Sequence, residues 1–324
     1  MARAATSTMN QIGPLVKRAA TFLLPVLLGL VFIEFNLSRM PREFEAKVAY
    51  LERRLESVEV LFAGNSQAYF DVYPDETGVS GFNVASPWQT PVLDVQVLEY
   101  WRPRLPRLRA IVLCLSHFSW GTSLGGGDRA SRNVLFRRDL GLWGDWRYVW
   151  QGLDPRSVSL MWVYGIVNIR RILVRGFRFD SEGAVQPDGG WRPSLKQKEI
   201  SRQAGADRVK IHLEDYTDRM LARHEVLLAE SIRRWQAAGL KVAIVVPPTW
   251  KTYSEALPAY VVQRATAARE RVLSQVSEPV PVIDDFVANG FSEDDFFDND
   301  HLKSGAAGIW TSSVVARLQA MGTL

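Results

Sequence analysis

Three largely apolar runs that contain β-branched residues constrain the fold of this chain more than any other feature. They occupy residues 58–63, 110–115 and 241–246, and each stops at a glycine, a serine or a proline. Runs this continuous are typical of strands that are covered on both faces, as in parallel sheets. Two weaker runs, 81–85 and 280–284, predict two further strands.

Helical patterns lie between these runs. Apolar residues recur at helical spacing in 90–101 and 218–238, and the segments 258–276 and 306–321 continue the alternation. Strand followed by helix, repeated, predicts an α/β fold: a doubly wound, flavodoxin-like parallel sheet flanked by helices, with ligands at the carboxyl ends of the strands. Residues from about 120 to 215 interrupt the alternation, and we interpret them as a lid-like insertion.

The insertion has an unusual composition. It contains Gly125-Gly126-Gly127, a basic stretch at 129–138 and a glycine- and proline-containing segment at 183–193. Five tryptophans also belong to it: Trp120, Trp143, Trp146, Trp150 and Trp162. We interpret these indoles as core packing of the insertion, with stacking on sugar rings or contact with a membrane interface as the alternative.

The amino terminus predicts a membrane anchor. Residues 19–38 carry a single charge, Glu34, and at about 1.5 Å per residue a helix of this length reaches roughly 30 Å, the thickness of the hydrocarbon core of a bilayer. The predicted organisation is a cytoplasmic tail at 1–18, a transmembrane anchor at 19–38, a helical tether at 39–57 and one α/β domain at 58–324. A buried core helix is the alternative interpretation of the apolar segment.

The flanks of the anchor predict its orientation. Arg3, Lys17 and Arg18 precede it with no acidic residue among them, whereas the basic residues behind it alternate with Glu43 and Glu45. We therefore place the amino terminus in the cytoplasm and the domain outside it. No small-x-small cleavage pattern follows the apolar run, so the segment is predicted to be an uncleaved anchor rather than a signal peptide.

Composition excludes several classes of function. The formal net charge of +4 on 324 residues is too small for a protein that concentrates basic charge on a nucleic-acid-binding face. The single cysteine, Cys114, excludes an internal disulfide framework and a thiolate-rich zinc site. No Walker or dinucleotide-binding glycine pattern occurs, so we expect neither a cofactor nor a metal.

Two polar motifs lie where this fold is expected to bind its ligand. Gly64-Asn65-Ser66 follows the first strand, and Asp298-Asn299-Asp300-His301 precedes the last helix. A serine that enters a helix has its hydroxyl near unpaired N–H groups, which can stabilise an oxyanion. A carboxylate three residues before an imidazole can accept from Nδ1–H and leave Nε2 to deprotonate a hydroxyl, whereas Asp300 is expected to point the other way. Either motif alone also fits ordinary turn chemistry.

Taken together, the motifs resemble those of the SGNH/GDSL hydrolase superfamily, and more closely its membrane-anchored bacterial branch. Residues 62–70 (Phe-Ala-Gly-Asn-Ser-Gln-Ala-Tyr-Phe) look like the nucleophile block of that branch, and 81–86 (Gly-Phe-Asn-Val-Ala-Ser) resemble its second block. Residues 297–302 (Phe-Asp-Asn-Asp-His-Leu), with Gly305-Ala306, are similar to its Asp-x-x-His-Leu block. The resemblance covers about 58–120 and 240–320.

The resemblance implies roles for individual residues. Ser66 would be the nucleophile, His301 the general base and Asp298 the residue that orients it. The backbone N–H groups of Ser66 and Ala85 would be the oxyanion donors. We further interpret three side chains near these blocks as candidates for substrate binding: Asn65, Asn83 and His117.

The chain departs from the family pattern in three places. Asn65 stands where the usual aspartate precedes the serine, and Ala85 replaces a common glycine but still supplies an N–H group. The asparagine of the third block is missing after the strand at 110–115, where Ser116 or His117 would have to replace it. Two further histidines, His212 and His224, lack metal-ligand spacing and are interpreted as surface or hydrogen-bonded helix residues.

Relatives in this branch include the alginate O-acetylation proteins and the lipoteichoic-acid D-alanylation protein. The resemblance therefore implies an extracytoplasmic serine enzyme, held in the bacterial inner membrane, that transfers an acyl group to a cell-surface or secreted polysaccharide. Its expected partners are a membrane-embedded acyl carrier or acyltransferase and the polysaccharide acceptor. The alternatives are an esterase or deacetylase with the same triad, and a non-catalytic glycan-binding or assembly protein on the same fold.

Overall fold

The computed structural model describes residues 2–38, 43–123, 136, 140, 183–193 and 197–324. Within these residues, five parallel strands form the main sheet, in the order β2-β1-β3-β6-β7. They are β1 (Val60–Gly64), β2 (Gly81–Asn83), β3 (Ala110–Cys114), β6 (Lys241–Val246) and β7 (Val282–Asp284). Two shorter strands, β4 (Gly183–Val185) and β5 (Trp191–Pro193), pair as a separate antiparallel hairpin.

Helices follow the strands as the sequence predicts. The described helices are α1 (Ala2–Ser38), α2 (Glu43–Glu52), α3 (Ser66–Asp71), α4 (Pro91–Trp101), α5 (Arg202–Leu213), α6 (Asp218–Ala237), α7 (Lys251–Ser254), α8 (Ala259–Leu273) and α9 (Ser304–Ala320). Each strand of the main sheet overlaps a predicted apolar run, so the prediction of an α/β chain with a parallel sheet flanked by helices is confirmed.

The alternation of side chains along β1 explains why both faces of the sheet are covered. Leu61 and Ala63 belong to one apolar core, which α4, α6 and α8 complete, whereas Val60 and Phe62 belong to a second core with α3 and α9. All four side chains are buried. Because the strands are parallel, their carboxyl ends share one edge of the sheet, and the loops that follow β1, β3 and β6 meet there.

Helix α1 contains the predicted anchor. The segment Val16–Asn36 is 21 residues long with a mean hydropathy of 1.9, and by length and composition it can cross a membrane. None of its most apolar window is buried against the rest of the protein. The predicted helical tether begins as α2, whose Phe44, Lys47 and Leu51 are buried against the α/β domain.

Only part of the predicted insertion is described. Trp120 lies in the first core, and Trp191 of β5 stacks on Tyr69 of α3 with 5.7 Å between ring centroids. The β4–β5 hairpin and α5 therefore belong to the packed domain. The remaining predictions for this region lie outside the described residues: Gly125-Gly126-Gly127, most of the basic stretch at 129–138, and Trp143, Trp146, Trp150 and Trp162.

Candidate active site

The end of β1 places Ser66 at the carboxyl edge of the sheet. Gly64 has a φ of +153°, and a Cβ there would lie 2.5 Å from the backbone oxygen of Cys114, so this turn requires glycine. Asn65 is the N-cap of α3, because its Oδ1 accepts the N–H of Gln67 at 2.9 Å. Ser66 is consequently the first residue of the helix, and its hydroxyl is part-buried at the edge of the sheet.

A tight turn before α9 holds the predicted base. Asp298 Oδ1 accepts three N–H groups: the backbone N–H groups of Asp300 at 3.2 Å and His301 at 3.0 Å, and Nδ1 of the His301 ring at 2.9 Å. The other ring nitrogen, Nε2, lies 3.1 Å from Ser66 Oγ. The fold thus brings together all three residues of the predicted triad.

Charge around the turn fixes the state of Asp298. Burial raises its pKa, but the neighbouring His301 and Arg208 and the hydrogen bonds that it accepts outweigh burial, so the pKa lies below its ordinary value. The carboxylate is therefore ionised at neutral pH and accepts a hydrogen bond from Nδ1–H. This arrangement leaves Nε2 of His301 as the acceptor that faces the hydroxyl of Ser66.

Helix α3 positions both halves of the triad. It begins at Ser66 and ends at Asp71, whose Oδ1 accepts the backbone N–H of Leu302 at 2.8 Å. The ring of Phe70, one residue earlier, lies 4.5 Å from the imidazole of His301 between centroids. Asp71 is fully buried, and burial raises its pKa well above the ordinary value. The helix that presents the serine therefore also holds the loop that presents the histidine.

Two side chains that the sequence predicts to bind substrate make hydrogen bonds within the protein. Asn65 Nδ2 donates to Ser116 Oγ at 3.1 Å and to Ser119 Oγ at 2.9 Å, while its Oδ1 caps α3. Asn83 is fully buried, and its Nδ2 donates to backbone oxygens of α3 and its C-cap at 2.7 and 2.9 Å. Both amides are therefore engaged within the protein, although Asn65 also lines the cavity beside Ser66, and a role of either residue in substrate binding stays a prediction.

The two predicted oxyanion donors differ. The N–H of Ala85 donates to Asn83 Oδ1 at 2.9 Å, so in this conformation it is not available to an oxyanion. The N–H of Ser66 has no acceptor among the described residues. Of the predicted donors, Ser66 alone presents an unused N–H to a reacting carbonyl.

His117 and Ser116 do not replace the missing asparagine of the third block. The ring of His117 is buried, with Nε2 3.7 Å from Asp284 Oδ2 and its centroid 4.5 Å from that of Phe286. Burial lowers the pKa of His117 to about 4. Ser116 Oγ donates to the side-chain oxygen of Gln67. The described contacts of His117 are with Asp284 at the end of β7 and with Phe286 in the loop that follows, and its role in substrate binding stays a prediction.

Asp300 is the first of three residues that sequence reasoning missed. It was expected to point away from His301, but it is fully buried and its Oδ2 lies 3.6 Å from His301 Nε2. Its Oδ1 accepts Nε of Arg208 at 2.8 Å. His212, interpreted above as a surface or hydrogen-bonded helix residue, is buried with its Nε2 3.7 Å from Asp300 Oδ2.

Helix α5 carries both Arg208 and His212, and a glycine explains why it lies so close. A Cβ on Gly205 would overlap the backbone oxygen of Thr252, so only glycine allows α5 to approach α7 at this point. Gly205, Val209 and His212 are spaced three and four residues apart and are buried on one helix face. This spacing is a signal in the sequence that one face of the helix, including His212, is buried.

A small cavity lies beside Ser66. Its volume is about 10 Å³, which is about the space of one water molecule. The walls come from the segments after β1, β2 and β3 and from α5: Asn65, Ser66, Trp88, Gln89, Thr90, Phe118, Ser119, Thr122, Ser123 and His212. Trp88 has a φ of +64°, a conformation that costs a non-glycine residue about 1–3 kcal/mol and is often found at functional sites.

The carboxylates of the site raise the question of a metal. Asp298, Asp300 and His301 offer ligand atoms within 4.8 Å of one another. However, Asp298 accepts from Nδ1 of His301, and Asp300 accepts from Arg208. Asp298, His301 and one oxygen of Asp300 are thus engaged with one another or with a guanidinium, so the donor set fits a hydrogen-bond network better than a metal site. His224 is remote from this set, since its Nδ1 lies 2.9 Å from the backbone oxygen of Trp120.

No protein-family model matches this chain, and no curated protein matches it. The residues and their geometry therefore carry the functional proposal.

Proposed function

We propose that this protein is a membrane-tethered serine enzyme of the SGNH/GDSL type, which transfers an acyl group, such as acetyl, to a cell-surface or secreted polysaccharide. The observation that carries the proposal is the chain of hydrogen bonds from Ser66 Oγ to His301 Nε2 at 3.1 Å and from His301 Nδ1 to Asp298 at 2.9 Å. These are the distances that an activated nucleophile and its oriented base require.

The geometry supports a two-step reaction. His301 Nε2 takes the proton of Ser66 as Oγ attacks the ester carbonyl, and the N–H of Ser66 stabilises the oxyanion. The bond between the acyl carbon and the donor oxygen breaks, and His301 returns the proton to that leaving oxygen. An acceptor hydroxyl then gives its proton to His301 and attacks the acyl-Ser66 carbon. The new ester leaves, and Ser66 regains its proton from His301.

Two structural features support the family assignment. The strand order β2-β1-β3-β6-β7 corresponds to the flavodoxin-like order of a doubly wound sheet, in which ligands bind at the carboxyl ends of the strands. Ser66 follows the first strand of the sheet in sequence, and His301 precedes the last helix, α9, as the resemblance implies. We also propose that the region from about 120 to 215 acts as a lid.

The anchor favours transfer over hydrolysis. Four residues separate the end of α1 from the start of α2, so α2 begins within about 18 Å of the anchor. A domain held this close to a bilayer meets a membrane-embedded acyl carrier or acyltransferase at a high effective concentration. We therefore propose a single-pass protein of the bacterial inner membrane, with its amino terminus in the cytoplasm and its active site in the periplasm.

The test is covalent labelling of Ser66 in the full-length protein. A fluorophosphonate probe should label wild type and the control Ser274→Ala, which changes an exposed serine on the far end of α8, and should not label Ser66→Ala. Mass spectrometry should find an acyl adduct on Ser66 after incubation with an activated acetyl ester.

The alternatives predict different results. An esterase would form the same adduct but release free acid at an unchanged rate when a polysaccharide acceptor is added. A non-catalytic glycan-binding protein would give neither label nor adduct. In cells, a Ser66→Ala strain whose polysaccharide keeps its full acyl content would contradict the proposal.

A further inference from the structure

A second charged network lies beside His301, next to its Nε2 atom. Its centre is Asp300, which is fully buried and whose Oδ2 lies 3.6 Å from His301 Nε2. That oxygen has no hydrogen-bond partner among the described residues, whereas Oδ1 accepts Nε of Arg208 at 2.8 Å. A buried carboxylate oxygen that accepts no hydrogen bond destabilises the fold, so its position beside the base indicates a functional role.

The arginine lies beside the same ring. Nη2 of Arg208 is 3.5 Å from both Nδ1 and Nε2 of His301. Its cationic charge therefore opposes protonation of the imidazole, while the charge of Asp300 favours it. Burial raises the pKa of the Asp300 carboxyl above its ordinary value, and the ion pair with Arg208 opposes that rise.

His212 completes the network from the same helix. Its Nδ1 lies 2.6 Å from Tyr253 Oη, and burial raises the pKa of that phenol well above its ordinary value. Tyr253 therefore keeps its proton, and its hydroxyl can donate a hydrogen bond to Nδ1 of His212. The other ring nitrogen, Nε2, lies 3.7 Å from Asp300 Oδ2.

In the described part of the chain, the titratable groups around His301 come from its own loop and from α3, α5 and α7. Asp298, Asp300, Ser66 and Arg208 contact the ring of His301. Behind them, Asp71 of α3 accepts the N–H of Leu302, and His212 of α5 and Tyr253 of α7 belong to the network around Asp300.

We propose that Asp300 is a positioning residue that stabilises the imidazolium of His301, and that Arg208 limits this stabilisation. The inference rests on the proposed function, because the imidazolium forms when Ser66 gives its proton to Nε2. At 3.6 Å, Asp300 acts on Nε2 through its charge and does not take the hydrogen bond that Ser66 makes at 3.1 Å. The proton on Nε2 therefore stays directed at the reacting oxygen.

The test is a histidine titration by NMR, which requires no activity. The chain contains four histidines, so full-length protein in detergent micelles, labelled with ¹⁵N-histidine, gives a spectrum that single histidine variants can assign. The pKa of His301 should fall by about one pH unit or more in Asp300→Asn and rise in Arg208→Gln. The matched controls Asp294→Asn and Arg202→Gln remove the same charges at exposed positions and should leave it unchanged.

Shifts in opposite directions distinguish an electrostatic role from a structural one, since a general loss of packing would move both variants the same way. An unchanged pKa of His301 in Asp300→Asn, or shifts of the same sign in both variants, overturns the proposal. The signals of the other three histidines report whether a variant is folded. If Arg208→Gln is not folded, Arg208→Lys replaces it: retention of the wild-type pKa supports the proposal, and a change as large as that in Asp300→Asn contradicts it.

The pH profile of Ser66 labelling separates this inference from the proposed function. In Asp300→Asn the acid limb of the labelling rate should move to lower pH, together with the pKa of His301. Opposite NMR shifts in a protein that no probe labels would support the network and contradict the enzyme. Labelling of Asp300→Asn with an unchanged acid limb would support the enzyme and contradict the network.

Discussion

Asparagine side chains organise the backbone around Ser66. Asn83 Oδ1 accepts the N–H of Ala85, two residues on, which is an Asx turn, and Asn65 Oδ1 accepts the N–H of Gln67 in the same way. The residue types are visible in the sequence, and such turns are common for asparagine. Whether an amide points to its own backbone or to a ligand depends on packing. Here the segment after β3 holds the amide of Asn65, and α3 and its C-cap hold that of Asn83.

The burial of His224 predicts how the free energy of unfolding depends on pH. His224 is fully buried, and burial lowers its pKa to about 4, below the ordinary 6.5. The unfolded chain therefore binds a proton at a higher pH than the folded chain does. The stabilising effect of the neutral ring is complete above pH 6.5 and is lost as the pH falls towards 4, and at pH 5 the loss is about 2 kcal/mol.

The variant His224→Asn keeps a donor for the backbone oxygen of Trp120 and removes this titration. Urea unfolding of the full-length protein in detergent at pH 7.5 and pH 5 measures the effect. The free energy of unfolding of the variant should fall by about 2 kcal/mol less than that of wild type over this range. His117, which also has a pKa of about 4, remains in both proteins and serves as the internal control. Equal losses in the two proteins would contradict the prediction.

At the scale of elements, α2 is part of the domain rather than a spacer. Lys47 Nζ donates to the backbone oxygens of Asn83 at 3.0 Å and Ala85 at 2.5 Å, and lies 4.5 Å from the ring centroid of Tyr69. The side chain is buried. A lysine from the segment next to the anchor thus holds the turn that follows β2, beside the proposed nucleophile.

Replacing Lys47 with methionine keeps most of the volume but leaves two buried carbonyl groups without this donor. We expect Lys47→Met to lose about 1–3 kcal/mol of unfolding free energy. We also expect slower labelling of Ser66, because the turn at Ala85 lies beside it. The control Lys210→Met removes an exposed charge from α5 and should behave like wild type. If the two variants match in both unfolding and labelling, α2 does not position the site.

At the scale of the whole molecule, the sheet could be predicted from the sequence because its strands are buried on both faces. Continuous apolar runs such as 110–115 and 241–246 leave few alternatives, and they correspond to β3 and β6 within a residue. The triad was also predictable, because Ser66 and His301 each lie next to the end of an element whose position the sheet fixes.

The rest of the site depends on contacts between distant segments. Arg208 and Asp300 are 92 residues apart in the chain, and no local pattern indicates that a helix from the predicted insertion packs against the loop before α9. The same applies to His117, which follows β3 as a third-block residue should but turns towards Asp284 on β7. Sequence periodicity shows which face of an element is buried, and it does not show which other element covers that face.

The last prediction concerns the orientation of the whole chain in the membrane. Cys114 is the single cysteine, it is buried, and burial raises the pKa of its thiol, so wild type should not react with a maleimide. A single introduced cysteine therefore reports its own side of the membrane.

In spheroplasts, a membrane-impermeant maleimide should label Glu255→Cys, which lies on the surface of the α/β domain, without lysis. It should label Ser7→Cys only after lysis, because the basic residues Lys17 and Arg18 predict a cytoplasmic amino terminus by the positive-inside rule. The reverse pattern would place the proposed triad in the cytoplasm, away from any cell-surface polysaccharide, and would contradict both the topology and the proposed acceptor.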